Sequence, residues 1–282
     1  MADTLGSSPA QVYTPVTTRG LQLGGAFRDI GRGLAMWRIW LALSWQEFRS
    51  TYRRSLIGFL WVTLSFAAFI FVKLTIFSSL LQTDDAMYYN AFLVVGFYVW
   101  MFLQPSISSA PDTFVSAQGW IRSEPLPYSL YVFKAVMREM YNFALTFIVV
   151  LLAFWKIGFA VTPAAVWALP AVAFLIVNAC SYKLLIGLIS ARFRDLSHLV
   201  KAVMMPMMFL TPIFWMPSQM PGLMKYLWWN PLYHFMELFR APFLGEPVPV
   251  ESWIFAGTVY GGVTLVALVL FARFRQRIVF WF

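Results

Sequence analysis

Six apolar runs, each close to the length that crosses a bilayer, leave this chain little choice but a bundle of membrane helices. They cover residues 59–81, 91–109, 131–154, 163–189, 199–215 and 253–271. A hydrocarbon layer of about 30 Å takes about 20 helical residues. A helix also satisfies its own backbone polar groups where no water can. Composition agrees: 60% of the 282 residues are hydrophobic and 12% are charged, against about 25% charged in a soluble domain. The expected fold is an all-α integral membrane protein with six transmembrane helices, the fifth broken by Pro206 and Pro212.

The basic residues set the orientation. Arg53 and Arg54 stand immediately before the first apolar run, and lysine and arginine mark the cytoplasmic side. With both termini inside, that side holds 16 of the 21 basic residues. Lys156, Lys225 and Arg240 fall outside, and Lys73 and Lys183 lie within spans. The net charge of +9 thus follows topology, and no nucleic-acid partner is expected. The first outer loop, with Asp84 and Asp85, is short and acidic. The single cysteine, Cys180, excludes an intramolecular disulfide. Residues 1–27 are rich in Ser, Thr, Pro and Gly and are expected to form a loose cytoplasmic tail.

Three regions do not span. In 28–56, Ile30, Leu34, Trp37, Leu41, Trp45 and Phe48 recur at helical spacing, and Arg28, Arg32, Arg38 and Arg49 occupy other faces. This is the pattern of an amphipathic helix lying in the membrane interface, with its arginines toward anionic lipid. It precedes a six-helix transmembrane domain over 57–282. Two cytoplasmic loops, 111–130 and 190–198, form the second region. In the shorter one Phe193 stands between Arg192 and Arg194, with Asp195 following, which suits a small amphipathic element seated in a protein cleft. The third region, 216–251, is too apolar for a solvated loop and is punctuated by six prolines. Apolar pieces at 223–229 and 232–244 fit helices that re-enter the outer leaflet between the fifth and sixth spans. Trp228 and Trp229 suit the headgroup level.

No catalytic, cofactor-binding or metal-binding constellation is legible. The chain carries no phosphate-binding loop of the G-x-x-x-x-G-K-[ST] type. His198 and His234 are expected on opposite sides of the membrane. Two intramembrane lysines remain. Lys183 lies about 10 Å from the cytoplasmic end of its helix and is expected to snorkel there. Lys73 lies about 21 Å along the first span. It shares a stripe with Phe66 and Phe69, which either packs against other helices or lines a pore. Aromatic residues make up 19% of the chain. Sugar rings stack on such side chains, but membrane proteins are aromatic-rich in any case.

Four motifs carry a resemblance. They are Tyr52-Arg53-Arg54-Ser55-Leu56-Ile57-Gly58 with Leu60-Trp61, Ala191-Arg192-Phe193-Arg194-Asp195-Leu196, and Thr211-Pro212-Ile213-Phe214-Trp215. The fourth is Asn230-Pro231-Leu232-Tyr233 with Glu237-Leu238-Phe239-Arg240. In this order they resemble the membrane subunits of ABC-2-type polysaccharide exporters, the permeases of O-antigen, capsule and teichoic acid. Phe59 departs from the pattern, since relatives often carry proline there. The resemblance implies a homodimer in the bacterial inner membrane enclosing a conduit. Two copies of a separate ATPase subunit would bind ATP and Mg and dock on the cytoplasmic loops. Phe114, Gln118, Ile121, Arg192, Phe193, Arg194 and Asp195 become the coupling candidates. Phe66, Phe69, Lys73, Met204, Met208 and Trp215 become the conduit lining. Trp228, Trp229, Tyr233, Glu237 and Arg240 become the exit. The implied cargo is a lipid-linked polysaccharide, foremost O-antigen. An ABC-2-type exporter of a small lipid or drug shares the topology, and an ATPase-independent secondary transporter is a further alternative.

Overall fold

The computed structural model describes residues 22–53, 55–80 and 86–282, with side chains omitted at 77–80. Most of the N-terminal tail (with Arg19), Arg54, Leu81, Asp84 and Asp85 lie outside the described residues. The described chain is helical, without a strand. Its helices are α1 (Leu23–Ala35), α2 (Trp37–Thr51), α3 (Leu60–Leu80), α4 (Ala86–Ser108), α5 (Asp112–Val115), α6 (Gln118–Ser123), α7 (Tyr128–Ile157), α8 (Ala168–Arg192), α9 (Leu196–Leu210), α10 (Met224–Leu227), α11 (Pro231–Leu244) and α12 (Val250–Phe274).

Among the described residues, four helices are long and apolar enough to cross a membrane: α4, α7, α8 with the 3₁₀ turn Pro163–Trp167 before it, and α12 with the turn after it. The described part of α3 and the whole of α9 are shorter apolar helices. α9 has 15 residues, about 22 Å, which falls short of the hydrocarbon layer. The fifth apolar run was expected to be helical to Trp215. Instead the helix stops at Leu210 and the chain unwinds through Thr211–Pro212–Ile213. Pro212 supplies the reason, because it has no N–H and disfavours helical backbone at Thr211.

The single interfacial helix expected over 28–56 is two helices meeting at Met36. α1 docks on the start of α7, and the docking is capped in an unusual way. Pro127 precedes α7 and offers no side-chain cap. The carboxylate of Asp29 supplies one from α1, accepting the Tyr128 N–H at 3.2 Å and the Ser129 N–H at 3.0 Å. The first N–H groups of a helix have no partner within it and favour an anion. Ser129 Oγ returns a bond to the Asp29 carbonyl at 2.9 Å. Gly33 is required at this crossing, since a Cβ there would stand 2.2 Å from Ser129 Oγ. α2 is tied further along α7, where Glu47 pairs with Lys134 at 2.6 Å and with Arg138.

The main core lies among α4, α7, α8 and α11. α4 is buried along most of its length, with Ala91, Val94, Val95 and Val99 fully enclosed. α11 is as deeply set. It starts on an Asn230 cap whose side chain accepts the Leu232 N–H at 3.0 Å, has Pro231 in its first turn, and ends at Gly245 in the left-handed conformation.

Candidate transport site

The unwound stretch after α9 is the most specific feature of the bundle. Carbonyls released from a helix inside a membrane protein must find other donors, and here four side chains provide them, from α4, from α11 and its cap, and from the stretch itself. The Trp215 indole N–H donates to the Phe209 carbonyl at 3.0 Å. Asn230 Nδ2 donates to the Leu210 carbonyl at 3.3 Å and to Thr211 Oγ1 at 3.0 Å. Arg240 Nη1 donates to the Pro212 carbonyl at 2.5 Å, and the Tyr89 hydroxyl to the Phe214 carbonyl at 2.8 Å. Gly96 of α4 lets the unwound chain pass, since a Cβ there would lie 3.1 Å from the Ile213 carbonyl.

Arg240 was expected outside, in the exit region. It is instead only 1% exposed. Its guanidinium lies 3.8 Å from the centre of the Phe92 ring and pairs with Glu237. A buried guanidinium needs a paired charge and filled donor positions, and these neighbours supply both. Trp228 and Trp229 of the exit set are exposed, and Tyr233 is half-buried. His234, facing inward, lies between Ser252 Oγ at 3.0 Å and the Trp228 carbonyl at 3.1 Å.

The six conduit candidates do not share one surface. Phe69 is exposed, and Lys73 and Met208 are half-buried. Phe66, Met204 and Trp215 pack into the core behind them. Lys73 Nζ lies 5.3 Å from the Phe69 ring centre and 5.6 Å from that of Phe97, within cation–π range. Phe69 and Phe97 meet edge to face at 4.9 Å. The exposed side of α3 is apolar, with Trp61, Leu64, Phe71 and Val72, and α9 exposes Leu199, Val203, Met205 and Phe209.

At the basic end, α5 packs on α8, whose end leads into the 192–195 turn, and α6 follows α5 in the chain. Lys201 Nζ and Asp112 Oδ2 are 3.4 Å apart, linking α9 to α5. Arg192, Phe193, Arg194 and Asp195 are all exposed, as is Gln118. Phe114 and Ile121 are buried; Phe114 lies beneath Gly187 of α8, where a Cβ would meet its ring at 3.2 Å. They hold α5 and α6 in place, and the large apolar side chains exposed at this end are Phe193 and Trp120, 63% and 53% exposed. Trp120 escapes a reading of the sequence because its loop has no clear amphipathic period. Arg28, Arg32, Trp37, Arg38, Trp45 and Arg49 are exposed along α1 and α2.

One buried cluster has no counterpart in the sequence reading. Lys183, expected to snorkel, is fully buried and donates to Glu139 Oε1 at 2.7 Å and to Ser109 Oγ at 2.8 Å. Ser109 and Ser106 also reach the Glu139 carboxylate, at 2.8 and 2.9 Å. The cluster joins α4 and the residue following it to α7 and α8. Glu139, an acid in the third apolar run, is the signal that would have found it.

Apolar helices of spanning length, with an unwound segment held among them, are the build of an integral membrane protein. The chain belongs to the ABC-2 type transporter family, whose pattern it matches over residues 38–244. It is 23% identical over 239 residues to the O-antigen export system permease protein RfbA of Klebsiella pneumoniae, covering 82% of this chain and 90% of that one. It is 26% identical over 209 residues to the polysialic acid transport protein KpsM of Escherichia coli, covering 71% and 78%. Similarity to RfbA of Myxococcus xanthus is 22% over 218 residues, covering 74% and 81%.

Proposed function

We propose that this chain is the permease subunit of an ATP-driven exporter that carries a lipid-linked polysaccharide, foremost O-antigen, across a bacterial inner membrane. The observation that carries this reading is membership of the ABC-2 type transporter family, with relatives named for O-antigen export and polysialic acid transport aligned over most of the chain. In this proposal α3, α4, α7, α8, α12 and α9 taken together with the unwound stretch after it form the six spans, and both termini are cytoplasmic. Two copies of the chain face each other through α3 and α9, and the polymer passes between them. Phe69, Lys73 and Met208 are the residues of the earlier set best placed to meet it. ATP and Mg are bound by two copies of a separate ATPase. That subunit docks on Trp120, Phe193, Arg194 and Asp195, and its movement reaches the bundle through α5 and the start of α9. α10 and α11 form the outer rim.

Deleting the gene in its own host tests the proposal. The expected result is loss of surface polymer with accumulation of lipid-linked polymer inside. Unchanged surface polymer with no internal accumulation, in a strain lacking a second copy, would overturn it and favour an exporter of small lipids or drugs.

A further inference from the structure

The buried group of Lys183, Glu139, Ser106 and Ser109 stands where α5 joins the bundle. Ser109 is the residue after α4, and its carbonyl accepts the N–H of Asp112, the first residue of α5, at 3.0 Å. The chain between them lies flush on α8. A Cβ at Gly187 would stand 3.1 Å from the Ala110 carbonyl and 3.2 Å from the Thr113 Cβ. Gly187 follows Lys183 by one turn of α8. A displacement of α5 along α8 is therefore met first at Ser109.

Two features let Ser109 exchange bonds. Pro105 lies inside α4 and has no N–H for the Met101 carbonyl, so the helix is weakened just before Ser106. The Ser109 hydroxyl also has one proton and two acceptors in reach. One is the Pro105 carbonyl of its own helix at 2.8 Å, and the other is Glu139 Oε1 of α7 at 2.8 Å. The same hydroxyl accepts from Lys183 Nζ of α8 at 2.8 Å. One choice keeps the proton within α4 and the other ties it to α7. Lys183 and Glu139 are themselves 0% and 5% exposed. An enclosed ion pair is weak support for stability, because desolvation offsets the attraction. It does supply directional bonds that hold only in one register, which an apolar contact does not.

We infer that Ser109, Glu139 and Lys183 form the joint that carries movement of α5 into α7 and α8. They are positioning residues for transport, acting through α5 rather than by contact with nucleotide or polymer. When α5 shifts, the Ser109 hydroxyl turns from Glu139 to the Pro105 carbonyl, and α7 and α8 are released from the start of α5. This inference rests on the permease reading given above, in which the ATPase moves α5.

The test uses the full chain, co-expressed with its ATPase subunit in a strain lacking the native gene. Ser109→Ala leaves the ion pair and the Ser106 bond to Glu139 at 2.9 Å, so folding and ATPase binding should hold. Polymer exported per ATP hydrolysed should fall at least tenfold. Ser109→Thr retains the hydroxyl and should keep at least half of the coupling. Should Ser109→Ala disturb folding, Lys183→Met with Glu139→Leu removes the joint and leaves no charge buried, and the same loss is expected. Unchanged coupling in either folded variant would overturn the joint. An equal loss in Ser109→Thr would also overturn it, by making the effect one of packing. A second readout needs no cargo. Trp155 is exposed near the far end of α7, and a spin label at Trp155→Cys, in a Cys180→Ala background, reports the spacing between two copies of the chain. That spacing should change with ATP in the otherwise unaltered chain and stay fixed in Ser109→Ala. A spacing that ignores ATP in the former, or follows it equally in the latter, would overturn the joint. The expected label result from a chain that exports no polysaccharide would uphold the joint and overturn the cargo reading alone.

Discussion

Lys183 shows how one side chain can be legible by type and illegible by role. Its position in an apolar run marks it as unusual, and snorkelling is the ordinary outlet for such a lysine. The structure gives it a partner 44 positions away in sequence, and only pairing Lys183 with Glu139 across two runs would have revealed that. Removing one member of a buried ion pair strands the other charge, at about 3–5 kcal/mol. Lys183→Met alone should therefore destabilise the detergent-solubilised protein by about that amount, read from chemical denaturation. Lys183→Met with Glu139→Leu should recover most of it, because neither charge then remains buried. Glu47 gives a pH signature outside the spans. Burial pushes its carboxyl up, but Lys134 and Arg138 together outweigh this and hold it below the usual carboxylate range. A carboxyl depressed on folding contributes stability that is fully present above its unfolded value, about 4.3, and is lost as pH falls through the folded value. The α2–α7 tie should thus be intact at neutral pH and loosen only in acid. Spin labels at Ala42 and Ala144 should report that separation, and Glu47→Gln should remove its pH dependence.

At the scale of elements, hydropathy found the runs because length and apolarity are all that crossing a membrane demands. It gave less about where helices stop and what they touch. The end of α9 was signalled by Pro212, yet the extended path through Ile213 depends on Gly96, Asn230 and Arg240 from distant parts of the chain. The depth of α11 was not legible either, since an apolar helix reads alike whether it faces lipid or protein. Arg240 stands in a motif that was recognised, but its burial follows from the released Pro212 carbonyl and the face of Phe92. The division of the N-terminal segment at Met36 left no mark in its helical period. Its docking rests on Asp29, which caps a helix nearly 100 positions later. Asp29→Ala removes that cap, and a lost N-cap costs about 1 kcal/mol. The expected result is a comparable loss of stability, with faster proteolysis confined to 22–36. Unchanged proteolysis would mean that α1 is held by its apolar contacts alone.

For the whole molecule, the two ends of the bundle divide the work. At one end the unwound segment is tied in place, because the Phe209, Leu210, Pro212 and Phe214 carbonyls each accept from a side chain, three of them from α4 or from α11 and its cap. At the basic end the buried groups Phe114 and Ile121 anchor α5 and α6 to the bundle, and Arg192, Phe193, Arg194 and Asp195 are exposed, where the proposal docks the ATPase. Force applied to the 192–195 turn would enter α9 directly, since Leu196 begins that helix. It would reach α5 through the Lys201–Asp112 pair. That pair is exposed on both sides, and exposed pairs contribute little stability, at most about 1 kcal/mol. The turn is therefore suited to transmit movement without contributing to the fold. Arg194→Ala with Asp195→Ala should leave insertion, helix content and thermal stability unchanged, because neither side chain is buried. It should abolish or sharply reduce export in cells, with lipid-linked polymer accumulating inside, and weaken co-purification of the ATPase. Full export in the double variant would take the turn out of the transmission path and leave α5 and α6, with Trp120 at their surface, as the sole contact.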